Sequence, residues 1–172
     1  MRAEVDAVRI EGGRLAELYR AHIDGAFRLA YLLTGDRALA EDLAQDAFVR
    51  LIGRLVHVRR SGDFDAYLRA TVVNLSNSYF RRRRVERRYL QRQAGLRQQN
   101  PEGPDAGTRD QMQRALSLLP KRQRTAIILR FYEDLSESQA ADLMRCRPGT
   151  VSSLVSRGME TLRAVIRGAR DE

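Results

Sequence analysis

Twenty residues in the middle of the chain, QRQAGLRQQNPEGPDAGTRD from Gln91 to Asp110, carry no apolar period. Glutamine, glycine and asparagine fill the stretch, and Pro101 and Pro104 interrupt any continuous helix there. Such a segment buries no core and reads as a flexible linker. The fold must therefore be assembled from two short pieces, residues 1–90 and 111–172. Aromatic residues make up 6% and Trp is absent, so each core must be built from Leu, Ala, Val and Ile, a composition suited to small helical bundles.

Both pieces carry helical periodicity, and neither reads as strand. From about Arg14 to Thr34, the residues Leu15, Leu18, Tyr19, Ile23, Ala26, Phe27, Ala30 and Tyr31 recur at i, i+3, i+4 spacing. Gly35-Asp36 breaks that helix, and Asp36 is a good N-cap for the next. The second helix runs to about Leu55 and is expected to bury Leu39, Leu43, Ala47, Phe48, Leu51 and Leu55. A polar loop, His57–Asp63, precedes a third helix with Phe64, Tyr67, Leu68, Val72, Leu75 and Tyr79 along one stripe. That helix continues without a breaker into RRRRVERR, six arginines in the eight residues Arg81–Arg88.

Beyond the linker, Gln111–Leu119 predicts a short helix stopped by Pro120, and Lys121–Tyr132 another with Ala126, Ile127, Leu129 and Phe131 partly buried. Ser136-Glu-Ser-Gln139 is a capping box, opening a helix that ends near Met144. The tight turn Arg145-Cys146-Arg147 then leads into a long helix from Pro148 to about Arg170, which together make a helix-turn-helix. The expected fold is all-α: two small helical domains joined by a flexible linker, the second containing the helix-turn-helix.

The net charge of +9 is localised. Residues 1–80 balance eleven arginines against eleven acids, residues 81–110 carry nine arginines against four acids, and residues 111–172 eleven bases against seven. A helix-borne arginine run of this kind suits nucleic acid. A solvated basic face or a polybasic membrane patch is the alternative, but no apolar anchor or lipidation signal accompanies the run. No apolar run reaches a membrane span, no signal peptide opens the chain, and a cytoplasmic location is expected. The single Cys146, placed in the turn, reads as packing between helices and leaves no internal disulfide. With His22 and His57 isolated, no metal or cofactor site is expected, and no nucleophile with a paired base points to an enzyme.

Three faces stand out. On the second helix Asp42, Gln45 and Asp46 share one side, opposite Ala47 and Leu51, an arrangement suited to a basic protein surface. On the third, Asn74, Asn77, Ser78 and Arg81 point away from the core stripe, amides and hydroxyls backed by guanidinium groups. On the last, Val151, Leu154, Val155, Leu162, Val165 and Ile166 define the buried side; Thr150, Ser153, Ser156, Arg157 and Glu160 lie opposite, flanked by Ser152.

Four stretches carry a family resemblance: LTGDRALAEDLAQDAFVRL (Leu33–Leu51), FDAYLRATVVNLSNSYFRRRR (Phe64–Arg84), LSLLPKRQRTAIILRFYEDLSESQAADLMRC (Leu116–Cys146) and GTVSSLVSRGMETLR (Gly149–Arg163). Together they resemble the small two-domain alternative sigma factors of bacterial RNA polymerase, the extracytoplasmic-function group. The resemblance implies that residues 1–90 are sigma region 2, which binds core polymerase and the promoter −10 element. Residues 111–172 would be region 4, which binds the −35 element, with 91–110 the linker. It implies as partners the β′ clamp helices and the β subunit of core polymerase, promoter DNA and an anti-sigma factor, with no membrane. Asp42, Gln45 and Asp46 match the family's clamp contacts. Asn74 matches an asparagine at the site of a base flipped from the −10 strand, in a pocket built by the loop that holds Arg59 and Arg60. Asn77, Ser78 and Arg81–Arg84 would complete the −10 surface, the arginines gripping phosphates. Thr150, Ser152, Ser153 and Ser156 would face the −35 duplex. Relatives often carry basic residues where this chain has Ser152 and Leu154, so phosphate anchoring falls to Arg130, Arg145, Arg147 and Arg157. A stand-alone helix-turn-helix repressor or activator explains the second half alone and leaves the acidic and arginine-tailed helices idle.

Overall fold

A computed structural model describes the backbone of residues 2–52, 61–94 and 111–168, and most side chains within 15–52, 64–89 and 112–167. The described elements are all helical: α1 (Arg2–Thr34), α2 (Arg37–Ile52), α3 (Ser61–Ala94), α4 (Gln111–Ser117), α5 (Lys121–Ile127), a π-helical turn (Ile128–Tyr132), α6 (Glu137–Met144) and α7 (Pro148–Gly168). The chain is thus all-α, two helical units with a helix-turn-helix in the second. The tertiary contacts cluster residues 1–31 with 37–79, and residues 32–36 with 80–172. The loop between α2 and α3 and residues 95–110 of the expected linker lie outside the described residues, while the linker's first four residues, 91–94, continue α3 as helix instead of ending it, since no Pro or Gly stands among them.

In the first unit three helices meet on an aromatic centre. Phe48 of α2 sits edge-on to Tyr19 of α1 at 4.9 Å and to Phe64 of α3 at 5.5 Å. Ala40, Leu43, Ala44, Ala47, Phe48 and Leu51 are buried, a continuous i, i+3, i+4 stripe that fixes which side of α2 faces solvent. On α3 the buried set is Phe64, Leu68, Val72, Val73, Leu75 and Ser76. Ser76 is accommodated because its hydroxyl donates to the Val72 carbonyl at 2.9 Å. Tyr67 departs from the expected stripe and is 55% exposed. At about 100° per residue it lies well round the helix from Leu68 and Leu75, so its phase outweighs its apolar type. Tyr19 is also partly exposed, presenting one edge to Phe48 and the other outward.

In the second unit α5, α6 and α7 pack around Ala126, Ile127, Leu129, Ala140, Ala141 and Val151, all buried. Arg124 is buried too. Its Nη2 donates to the carbonyl of Ser117, at the end of α4, and to that of Leu119 in the turn beyond it, and burial holds its pKa below the ordinary value. The capping box forms as expected: the Gln139 N–H donates to Ser136 Oγ at 3.2 Å and the Ser136 N–H to Gln139 Oε1 at 2.8 Å.

The stretch expected as one helix to Tyr132 changes pitch at Ile128, where the Glu133 N–H reaches the Ile128 carbonyl five residues back. The extra residue in that turn rotates the side chains beyond it out of the α-helical phase. Phe131, four residues after the buried Ile127, is 63% exposed instead of partly buried.

Candidate nucleic-acid and protein interfaces

On α2 the buried stripe leaves Asp42 and Gln45 exposed and Asp46 half-exposed. The carboxylates are not equivalent. Asp46 is paired with Arg50 at 3.0 Å and Glu41 with Arg37 at 3.3 Å, while among the described residues no ion pair engages Asp42. Asp42 is thus the charge most available to a partner, with Asp46 held in place by its i+4 arginine.

On α3, Asn74 and Asn77 are exposed and Ser78 half-buried, followed by Arg81–Arg84, all exposed. Asn74, Asn77, Arg81 and Arg84 follow i, i+3, i+7, i+10 and so form one line on a single unbroken helix. Uncharged hydrogen-bonding groups lie at one end and guanidinium groups at the other. Sequence reasoning missed Tyr67 here. Its exposed ring lies two turns before Asn74 on the same line and offers a face on which an unstacked base can rest. The signal was its seven-residue spacing from Asn74. Arg59 and Arg60 fall outside the described residues.

The helix-turn-helix is built from α6 and α7 joined by Arg145-Cys146-Arg147. Arg145 caps α6 in the left-handed region, φ 50 and ψ 54, where its N–H reaches the Asp142 carbonyl at 3.2 Å and that of Cys146 the Ala141 carbonyl at 3.0 Å. Glycine takes this conformation without strain; a residue with a Cβ costs about 1 kcal/mol more. Cys146 is half-buried between the helices. On α7, Ser153, Ser156 and Arg157 are exposed, with Thr150 and Ser152 half-buried. The Ser153 hydroxyl donates to the Gly149 carbonyl at 2.9 Å, which turns its lone pairs outward as acceptors. Arg145 and Arg147 are exposed beside this face. Arg130 differs from them: it is half-buried and donates to the Leu135 carbonyl, tying the π-helical turn to the approach of α6. Of the expected buried side of α7, Val151 is fully buried while Leu154, Val155, Leu162 and Val165 are half-buried.

Arg145→Gly is expected to raise the stability of this unit by up to about 1 kcal/mol. The same change should weaken duplex binding and lower its salt slope by about one. Thermal melting together with DNA titration at several salt concentrations checks both. A variant that gains stability and loses no affinity would show that Arg145 takes no part in binding.

Among the described residues, no group of three or more His, Cys, Asp or Glu is placed to hold a metal ion, and no helix is long and apolar enough to cross a membrane. An all-α chain that carries an arginine run on one long helix and a helix-turn-helix beyond it has the features of sequence-reading DNA-binding proteins.

Comparison with known proteins narrows the class. Residues 18–86 match the family model for sigma-70 region 2, and residues 109–162 that for sigma-70 region 4. The chain is 35% identical over 153 residues to the ECF RNA polymerase sigma factor SigE of Mycolicibacterium smegmatis, covering 86% of this chain and 59% of that relative. It is 31% identical over 153 residues to the RNA polymerase sigma-E factor of Streptomyces coelicolor, covering 86% of this chain and 82% of the relative. In fold it is similar to the sigma factor RpoE of Bartonella quintana, solved in complex with the anti-sigma factor NepR: TM-score 0.66, 24% identity, 88% of this chain and 96% of that one. The chain belongs to the sigma-70 family, in its extracytoplasmic-function group. It is an alternative sigma factor, and its function lies in promoter recognition for transcription initiation.

Proposed function

We propose that residues 1–90 act as region 2, binding core RNA polymerase through Asp42, Gln45 and Asp46 and the melted −10 strand through α3, while residues 111–172 act as region 4 on the −35 duplex, with 91–110 as the linker. The observation that carries this reading is the unbroken α3, on which Asn74 and Asn77 run directly into Arg81 and Arg84. Amides read base edges; guanidinium groups hold phosphates and carry no sequence information themselves. One helix can therefore capture an unstacked base and grip the adjoining backbone. Unstacking costs a few kcal/mol, offset by contacts to the extruded base.

In region 4 the readers are Thr150, Ser152, Ser153 and Ser156, with Arg145, Arg147 and Arg157 as phosphate anchors. Arg130 contributes less, since its guanidinium is engaged with Leu135. The protein supplies specificity to the polymerase and is itself not an enzyme; it works in the cytoplasm, where polymerase and promoter are. Its polymerase partners are the β′ clamp helices and the β subunit. An anti-sigma protein is a further partner, a reading supported by the fold shared with RpoE, solved bound to NepR.

The test separates two kinds of contact. Arg82→Ala with Arg83→Ala should lower holoenzyme affinity equally across promoter variants and shallow its salt dependence. Asn74→Ala should reduce discrimination at one −10 base and slow opening, leaving the salt slope unchanged. Titrations on matched promoters at several salt concentrations distinguish them, and an Asn74 variant with the same sequence-blind loss as the arginine pair would remove base reading from α3.

A further inference from the structure

The line of residues that carries Asp42, Gln45 and Asp46 does not stop at the acids. One turn further on the same face stands Val49, 65% exposed, and after it Ile52, 38% exposed. These side chains do not project from an otherwise polar surface. Val49 and Ile52 form one wall of a groove of about 590 Å³ between α1 and α2, with Leu15 and Tyr19 on the other wall and Phe48 between them. Gln45 stands at the rim, so the acidic face and the groove are continuous. Large apolar side chains exposed together in a concave site, next to a polar recognition face, are the pattern of a protein-binding anchor pocket.

We infer that this groove takes a large apolar side chain of the same polymerase helix whose basic residues meet Asp42 and Asp46; the inference rests on the proposed polymerase contact of α2. The geometry specifies the partner's chemistry. Asp42 and Val49 are seven residues apart, about 10 Å along the helix axis. A helix docked along α2 must therefore carry a basic turn and, two turns away, one apolar anchor. Arg20 borders the groove on the α1 side and repels a basic residue there, which places the partner's basic turn over α2 and fixes the direction of docking. The two halves contribute differently: the acids steer and orient the encounter, and the apolar anchor slows dissociation.

The test is titration of the full-length protein with core polymerase at low and high salt. Val49→Gln should weaken binding about tenfold with unchanged salt dependence, whereas Val49→Leu should retain wild-type affinity. Val49 is mostly exposed, so both variants should melt as wild type does, and the melting curve verifies that. Asp42→Arg with Asp46→Arg should lose affinity and salt dependence together. Wild-type binding by Val49→Gln while the charge reversal fails would overturn the anchor and leave the acidic contact standing. Wild-type binding by both would remove the contact itself. Sedimentation showing that Val49→Gln abolishes self-association, with polymerase affinity intact, would identify a second copy as the occupant and also overturn the inference.

Discussion

Core polymerase binding should fall at least about a hundredfold when Asp42 and Asp46 are both replaced by Arg, because like charges brought together at a contact cost several kcal/mol. The effect on folding should be small. Asp42 is exposed, and Asp46 lies on the solvent side of α2, opposite Ala47 and Leu51. Among the described residues the ion pair lost is Asp46–Arg50, worth a few tenths of a kcal/mol on a helix surface. Since Arg50 would then face a new arginine, the double variant should melt slightly below wild type, by no more than about 1 kcal/mol in stability. Co-purification or titration with core polymerase, beside circular dichroism, is decisive. A folded double variant that binds normally would show that the acidic face is an ordinary solvated surface.

Gly158 gives the largest expected effect on stability. It is buried where α7 crosses α5, and a Cβ there would lie 2.6 Å from Ile127 Cδ1 and 3.3 Å from Gln123 Cβ. The Ile127 terminus can swing aside; Gln123 Cβ, fixed to the backbone, cannot. Gly158→Ala should therefore stay within about 1 kcal/mol of wild type, the helix-propensity gain offsetting the crowding. Gly158→Leu has no such escape and should lose about 3 kcal/mol by overpacking. For a unit of this size that lowers the melting temperature by roughly 10–20 °C. The proposed −35 face, borne by the same helix, should fail with it, while the proposed polymerase contact through α2 persists. Thermal melting checks the first statement and duplex binding the second; wild-type melting of Gly158→Leu would contradict the close crossing of α5 and α7.

Much of this was legible from residue order, for reasons that can be named. The period on α2 predicted Leu43, Ala47, Phe48 and Leu51 in the core, and hence Asp42 and Gln45 outside it. The capping box at Ser136 and the turn after Met144 fixed the helix-turn-helix, because the residues involved satisfy specific backbone groups. Tyr67 was misplaced because aromatic character was weighed above helical phase. Phe131 was misplaced for a different reason. The π-helical turn at Ile128–Tyr132 carries no Pro or Gly, and nothing in the local sequence marks the change of pitch. The strain at Arg145 was equally invisible, since a left-handed arginine is recognised only from its dihedrals. The groove beside Val49 needed two helices in register, and no single-helix pattern reveals a concavity between them.

The unbroken course of α3 makes it a ruler. From Asn74 to Arg84 the rise is about 15 Å, set by peptide geometry at about 1.5 Å per residue. The helix has no break between them, so the amide proposed to capture a base and the guanidinium groups proposed to clamp the backbone stand at a helical spacing. On the proposed placement, the separation between the upstream edge of the transcription bubble and the phosphates held beside it is a constant of the protein. A promoter whose twist or spacing departs from it must be deformed to fit, and the elastic cost falls on the DNA. Promoters would then be ranked partly by how readily they deform at base pairs that no side chain touches.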